Sequence, residues 1–138
     1  MSALKGFCLI VAATLALTFV PAFSLIAQVN ETEALHKQVI ELYRVGKYAD
    51  AIPLAERVLA IRKKSFGPNH PDVALSLHNL ALLYKAQGRY ADAEPLYKRA
   101  LAIYENAFGP IHPHVAASLN NLAAVSYTHL TLPTKRIV

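Results

Sequence analysis

A chain that repeats itself at a fixed period has its architecture decided before any local propensity is weighed, and this one does so every 42 residues. Gly46-Lys47-Tyr48-Ala49-Asp50-Ala51 returns as Gly88-Arg89-Tyr90-Ala91-Asp92-Ala93, and Phe66-Gly67-Pro68-Asn69-His70-Pro71 returns as Phe108-Gly109-Pro110-Ile111-His112-Pro113. Between Gly46–Ala81 and Gly88–Ala123, 23 of 36 aligned positions are identical. A third copy opens with Leu119-Asn120-Asn121-Leu122-Ala123, which matches Leu77-His78-Asn79-Leu80-Ala81.

Inside one period the apolar residues fall at helical spacing. Val73, Leu77, Leu80, Ala81 and Tyr84 form one stripe, and Ala93, Leu96, Tyr97, Ala100, Leu101, Tyr104 and Phe108 form another. Each unit therefore reads as two amphipathic helices. Gly88 is expected to close the first helix, and Gly67 and Gly109 the second, as residues that accept a left-handed C-terminal conformation. Pro71 and Pro113 sit where a first helical turn tolerates a missing N–H. Pro53 and Pro95 fall soon after Tyr48 and Tyr90, so either the second helix starts late, capped by Asp50 and Asp92, or its first turns are kinked.

These residues resemble the tetratricopeptide repeat, and the 42-residue unit with Gly-Pro-x-His-Pro-x-Val-Ala is similar to its kinesin light chain subtype. Leu77, Leu80, Ala81, Tyr84, Gly88, Tyr90, Ala93, Tyr97 and Ala100 match the family's consensus positions. The first repeat matches more loosely, with Gln38 where Leu80 stands and Ala55 where Tyr97 stands. The resemblance implies an all-α fold, a right-handed α-solenoid of antiparallel helix pairs. Repeats are expected at about residues 31–72 and 73–114, with a partial one at 115–124.

Two segments fall outside the array. Lys5 precedes the uncharged run Phe7–Val20, which is followed by Pro21 and the small residues Ala22, Ser24 and Ala27. That order is the layout of a secretory signal over residues 1–27, cleaved after Ser24 or Ala27, and it implies export to a periplasmic or extracellular setting. An uncleaved anchor is the alternative, since Glu31 is the first charge after Lys5 and about 20 apolar residues span a bilayer. After Ala124 the repeat stops abruptly at Val125-Ser126-Tyr127-Thr128-His129-Leu130. Residues 125–138 resemble a translated sequencing adapter, so the array is expected to be truncated, with further repeats in the native protein.

Composition excludes several functions. With 54% hydrophobic and 17% charged residues the chain is not of a disordered class. The net charge of +5 shrinks to 11 Lys and Arg against 9 Asp and Glu over Gln28–Ala124, too balanced for a nucleic-acid footprint. Cys8, the single cysteine, lies in the export segment, which leaves the mature chain no disulfide or thiolate chemistry. His112 and His114 form an H-x-H, but a zinc site needs four ligands and no metal is expected. Asp50 and Asp92 stand at helix starts, where a carboxylate complements the helix dipole. No nucleophile elbow, phosphate loop or H-E-x-x-H is present, so neither enzyme activity nor a cofactor is expected.

What helix stacking leaves over is a concave groove lined by the first helix of each unit. The resemblance assigns to it His36, Lys37, Tyr43 and Arg44, then His78, Asn79 and Lys85, then Asn120 and Asn121. A carboxamide offers a donor and an acceptor to an extended backbone, so Asn79 and Asn121 are the foremost candidates for holding a peptide. The expected function is a non-catalytic scaffold binding a peptide or partner protein, an acidic one given Lys37, Arg44 and Lys85. The alternative is the docking arm of a larger enzyme or signalling protein. A membrane contact is expected only if the N-terminal segment stays uncleaved.

Overall fold

The computed structural model describes residue 24 and residues 26–131. The apolar run Phe7–Val20, from which export is expected, and the residues beyond Thr131 lie outside these residues. The chain divides between Ala34 and Leu35 into two units. In the first, residues 26–34 are helical, and the Thr32 hydroxyl donates to the Gln28 carbonyl one turn back at 2.6 Å.

The second unit is a run of helices: α1 (35–44), α2 (Tyr48–Phe66), α3 (Pro71–Ala86), α4 (Tyr90–Phe108) and α5 (Pro113–Thr131). Each of α2 to α5 packs against its neighbour in sequence, so the pairs stack as a helical solenoid. No strand occurs among the described residues.

The core follows the periodic stripes. Val39, Ala51, Ala55, Leu59, Val73, Leu77, Leu80 and Leu83 bury together with Ala100, Ile103, Tyr104 and Val115. Ala81, Ala93, Tyr97 and Val125 form a second cluster, on which Leu82, Leu96 and Leu122 pack. Helix α5 runs on through Val125, which is fully buried one period after Leu83. Arg62 is buried as well. Its guanidinium donates to the Ser76 hydroxyl at 3.0 Å, and that hydroxyl donates to the Asp72 carbonyl at 3.0 Å, tying α2 to α3.

Of the two arrangements open for Pro53 and Pro95, the late start is not the one adopted. Both prolines lie inside helices that begin at Tyr48 and Tyr90, after Lys47 and Arg89, which make no side-chain cap. Asp50 and Asp92 are therefore first-turn residues that complement the dipole, and Asp92 also takes a 2.8 Å bond from Arg89 Nε. Each proline falls in the second turn, where its missing N–H leaves the carbonyl four residues back, of Ala49 or Ala91, without a helical donor.

The glycines also depart from the expectation in one respect. Gly67 and Gly109 do carry positive φ, at 88° and 82°, but their ψ of 162° and 170° lies outside the left-handed helical basin. Each still donates its N–H back into the helix, to the Lys63 and Glu105 carbonyls. His70 then caps α3 by accepting the Asp72 N–H on Nδ1 at 3.2 Å, with its ring stacked on Phe66 at 4.8 Å. This gives the recurring Phe-Gly-Pro-x-His-Pro a local purpose: it ends one helix, turns the chain and starts the next.

Candidate functional site

The first helices of the units, α1, α3 and α5, are separated in sequence by α2 and α4, so they lie along one side of the stack. Between α1 and α3 this side holds a cavity of ≈ 260 Å³ lined by His36, Val39, Ile40, Tyr43, Leu75, Asn79, Leu82 and Leu83. Val39 and Leu83 form its buried floor, while Ile40 and Tyr43 stand 47% and 41% exposed at its edge. Asn79 is the notable polar group there. Its carboxamide has no hydrogen-bond partner among the described residues, which leaves donor and acceptor free for a ligand.

Asn121, the equivalent of Asn79 one period on, is placed differently. Its Oδ1 accepts from Lys85 Nζ at 3.0 Å and its Nδ2 donates to the Ala117 carbonyl at 3.1 Å. The reason is the residue opposite: Lys85 faces Asn121, whereas the equivalent of Lys85 on α1 is Tyr43. Tyr43 instead packs its ring 5.4 Å from that of Tyr48. One junction of the groove is thus bridged and the other open.

The remaining candidates spread out from this centre. Lys37, the equivalent of Asn79 on α1, is exposed and makes no ion pair among the described residues. Arg44 is exposed and lies 3.9 Å from the equally exposed Glu41, a pair of little energetic weight. Asn120 is exposed on α5. His78 is half-buried, its ring edge-on to Tyr97 at 5.2 Å and its Nδ1 buried without a partner among the described residues. Burial, with His114 and Lys85 adding to it, holds the His78 imidazole below its ordinary value.

The apolar lining, Val39, Ile40, Leu75, Leu82 and Leu83, was absent from the sequence-based set. Ala55 in place of Tyr97 marks a separate, smaller void. Val39, Ala55 and Val58 line a small void beneath Asn79 and His36, of ≈ 10 Å³, room for about one water. One period on, the same positions are Ala81, Tyr97 and Ala100, all buried, where the tyrosine ring supplies the volume that two valines supply in the first repeat.

Among the described residues no three His, Cys, Asp or Glu side chains gather as a metal ion would need, and no helix is long and apolar enough to cross a membrane.

The tetratricopeptide repeat model matches residues 30–106 and 80–130. Among solved structures, BtubC (BKLC) from P. vanneervenii aligns with a TM-score of 0.65 at 26% identity, covering 71% of this chain and 39% of that one. Nearly identical TPR-like repeats from a Podosopora anserina protein assigned as a kinesin light chain align at 0.63 and 29% identity, covering 70% and 46%. A single-residue variant of those repeats aligns equally well. The chain spans less than half the length of each. No curated protein matches it.

Proposed function

Because the chain belongs to the tetratricopeptide repeat family, whose arrays generally mediate protein–protein interaction, we propose that it is a non-catalytic scaffold gripping an extended segment of a partner protein in its concave groove. The observation that carries this reading is the ≈ 260 Å³ cavity between α1 and α3 with the unpartnered Asn79 carboxamide at its wall. Apolar lining can take a ligand side chain while the carboxamide meets the adjoining backbone amide. Lys37 and Arg44 on α1 and Lys85 on α3 give the groove a positive bias that suits an acidic segment.

The two asparagines are not expected to contribute equally. Asn79→Ala should weaken binding of a partner isolated with the full chain by about 1–3 kcal/mol, the cost of leaving a buried ligand amide unpaired. Asn121→Ala should have a smaller effect, because that carboxamide is already committed to Lys85 and Ala117. Titration calorimetry decides: equal losses, or none from Asn79→Ala, would move the binding surface off the cavity.

The proposed setting is outside the cytoplasm, supported by the order of Lys5, the apolar run and the small residues after Pro21. Residues 1–30 fused to a reporter active only after export should give signal, and a silent reporter held in the cytoplasm would overturn the export claim.

A further inference from the structure

The two turns that begin α3 and α5 are built alike but charged differently. In the first, the His70 capping nitrogen lies 3.5 Å from the Asp72 carboxylate. In the second, His112 accepts the His114 N–H on Nδ1 at 3.2 Å, and the residue equivalent to Asp72 is His114 itself. The two imidazoles there sit 5.1 Å apart. His114 stacks on Tyr104 at 5.0 Å and His112 on Phe108 at 4.4 Å.

From these contacts we propose that the turn into α5 is an acid-sensitive joint: protonating the His112–His114 pair loosens α5 from the stack, while the turn into α3 holds.

Three effects act in the same direction as pH falls through the range where histidine gains charge. A proton on His112 Nδ1 removes the acceptor that caps α5. A charged His112 meets both a second imidazole and the positive end of the helix dipole. In the first turn the same proton is met by Asp72.

The groups around the pair give it no relief. From α4 come Tyr104 and Phe108, both uncharged, with burial, and less so Asp72, pushing the Tyr104 hydroxyl up to about 12 against the opposing Arg62. From α3 comes His78, which feels both His114 and Lys85. Asp72, which acts on Tyr104 from α3, is already engaged by His70. None of His78, His112 and His114 has a carboxylate at ion-pair distance among the described residues.

Hydrogen exchange of the full chain at pH of about 7.5 and about 5.5, corrected for intrinsic rates, tests the joint. Amides of Pro113–Asn121 should lose protection by about tenfold or more at the lower pH, and those of Pro71–Asn79 should not. His114→Asp, which restores the residue found at the equivalent place in the first turn, should abolish the difference. Asp72→His should transfer sensitivity to α3. Equal loss at both turns, no loss at either, or an acid response that survives in His114→Asp would each overturn the proposal.

Discussion

Tyr97→Ala is expected to destabilise the array by about 3–5 kcal/mol, the range for removing a buried aromatic ring and leaving its cavity. Tyr97 is fully buried among Ala81, Ala93 and Val125, and the small residues around it cannot close over the gap. For a domain of this size that loss lowers the thermal midpoint by at least about 12 °C. Tyr97→Phe is the informative partner. The hydroxyl has no hydrogen-bond partner among the described residues, and burial, with Tyr43 adding to it, pushes its ionisation up. Deleting only that oxygen removes a desolvated polar group and should leave stability equal or slightly higher. Thermal melts followed by circular dichroism check both. A Tyr97→Phe midpoint as low as that of Tyr97→Ala would mean the hydroxyl is bonded, through an internal water, and that the ring's volume is secondary.

Gly67→Ala combined with Gly109→Ala is expected to cost about 2–6 kcal/mol, each site contributing the strain of a backbone region that is almost exclusive to glycine. The strain belongs to the backbone alone, because a Cβ at either position would meet nothing within 4 Å. That makes the mechanism separable from packing. A D-alanine introduced at position 67 by chemical synthesis prefers positive φ and should restore the stability that L-alanine removes. Chemical denaturation of the three forms gives the comparison, and a D-form as unstable as the L-form would place the cost in the side chain.

Local periodicity and turn residues reveal the helices, because each is a property of one segment, whereas the side of the stack that forms a groove follows only from the family resemblance. Val73, Leu77 and Leu80 announce a buried stripe whatever lies opposite. The inequality of Asn79 and Asn121 was not legible, since it depends on whether Lys85 or Tyr43 stands across the groove. The same holds for the small void beneath Asn79: Ala55 is visible as a departure from Tyr97, but its partial compensation by Val39 and Val58 is a matter of three residues on two helices. In sequence His70 reads as part of the recurring turn, and His112 as that and as half of an H-x-H. Their use as caps depends on ring orientation, which the stacked Phe66 and Phe108 fix.

The exchange of volume between Val39, Ala55, Val58 and Ala81, Tyr97, Ala100 has a further consequence for how the chain finds its own register. Two units as alike as these could dock in the wrong order, α1 taking the place of α3 against α4. Such a slip would bring Val39, the counterpart of Ala81, onto the Tyr97 ring, a crowding that costs about 1–3 kcal/mol in a packed interior. The reverse slip would set Ala81 against Ala55 and leave a hole. Divergence at these few buried positions thus lets each copy recognise its own neighbour, so that similar repeats assemble in a single order.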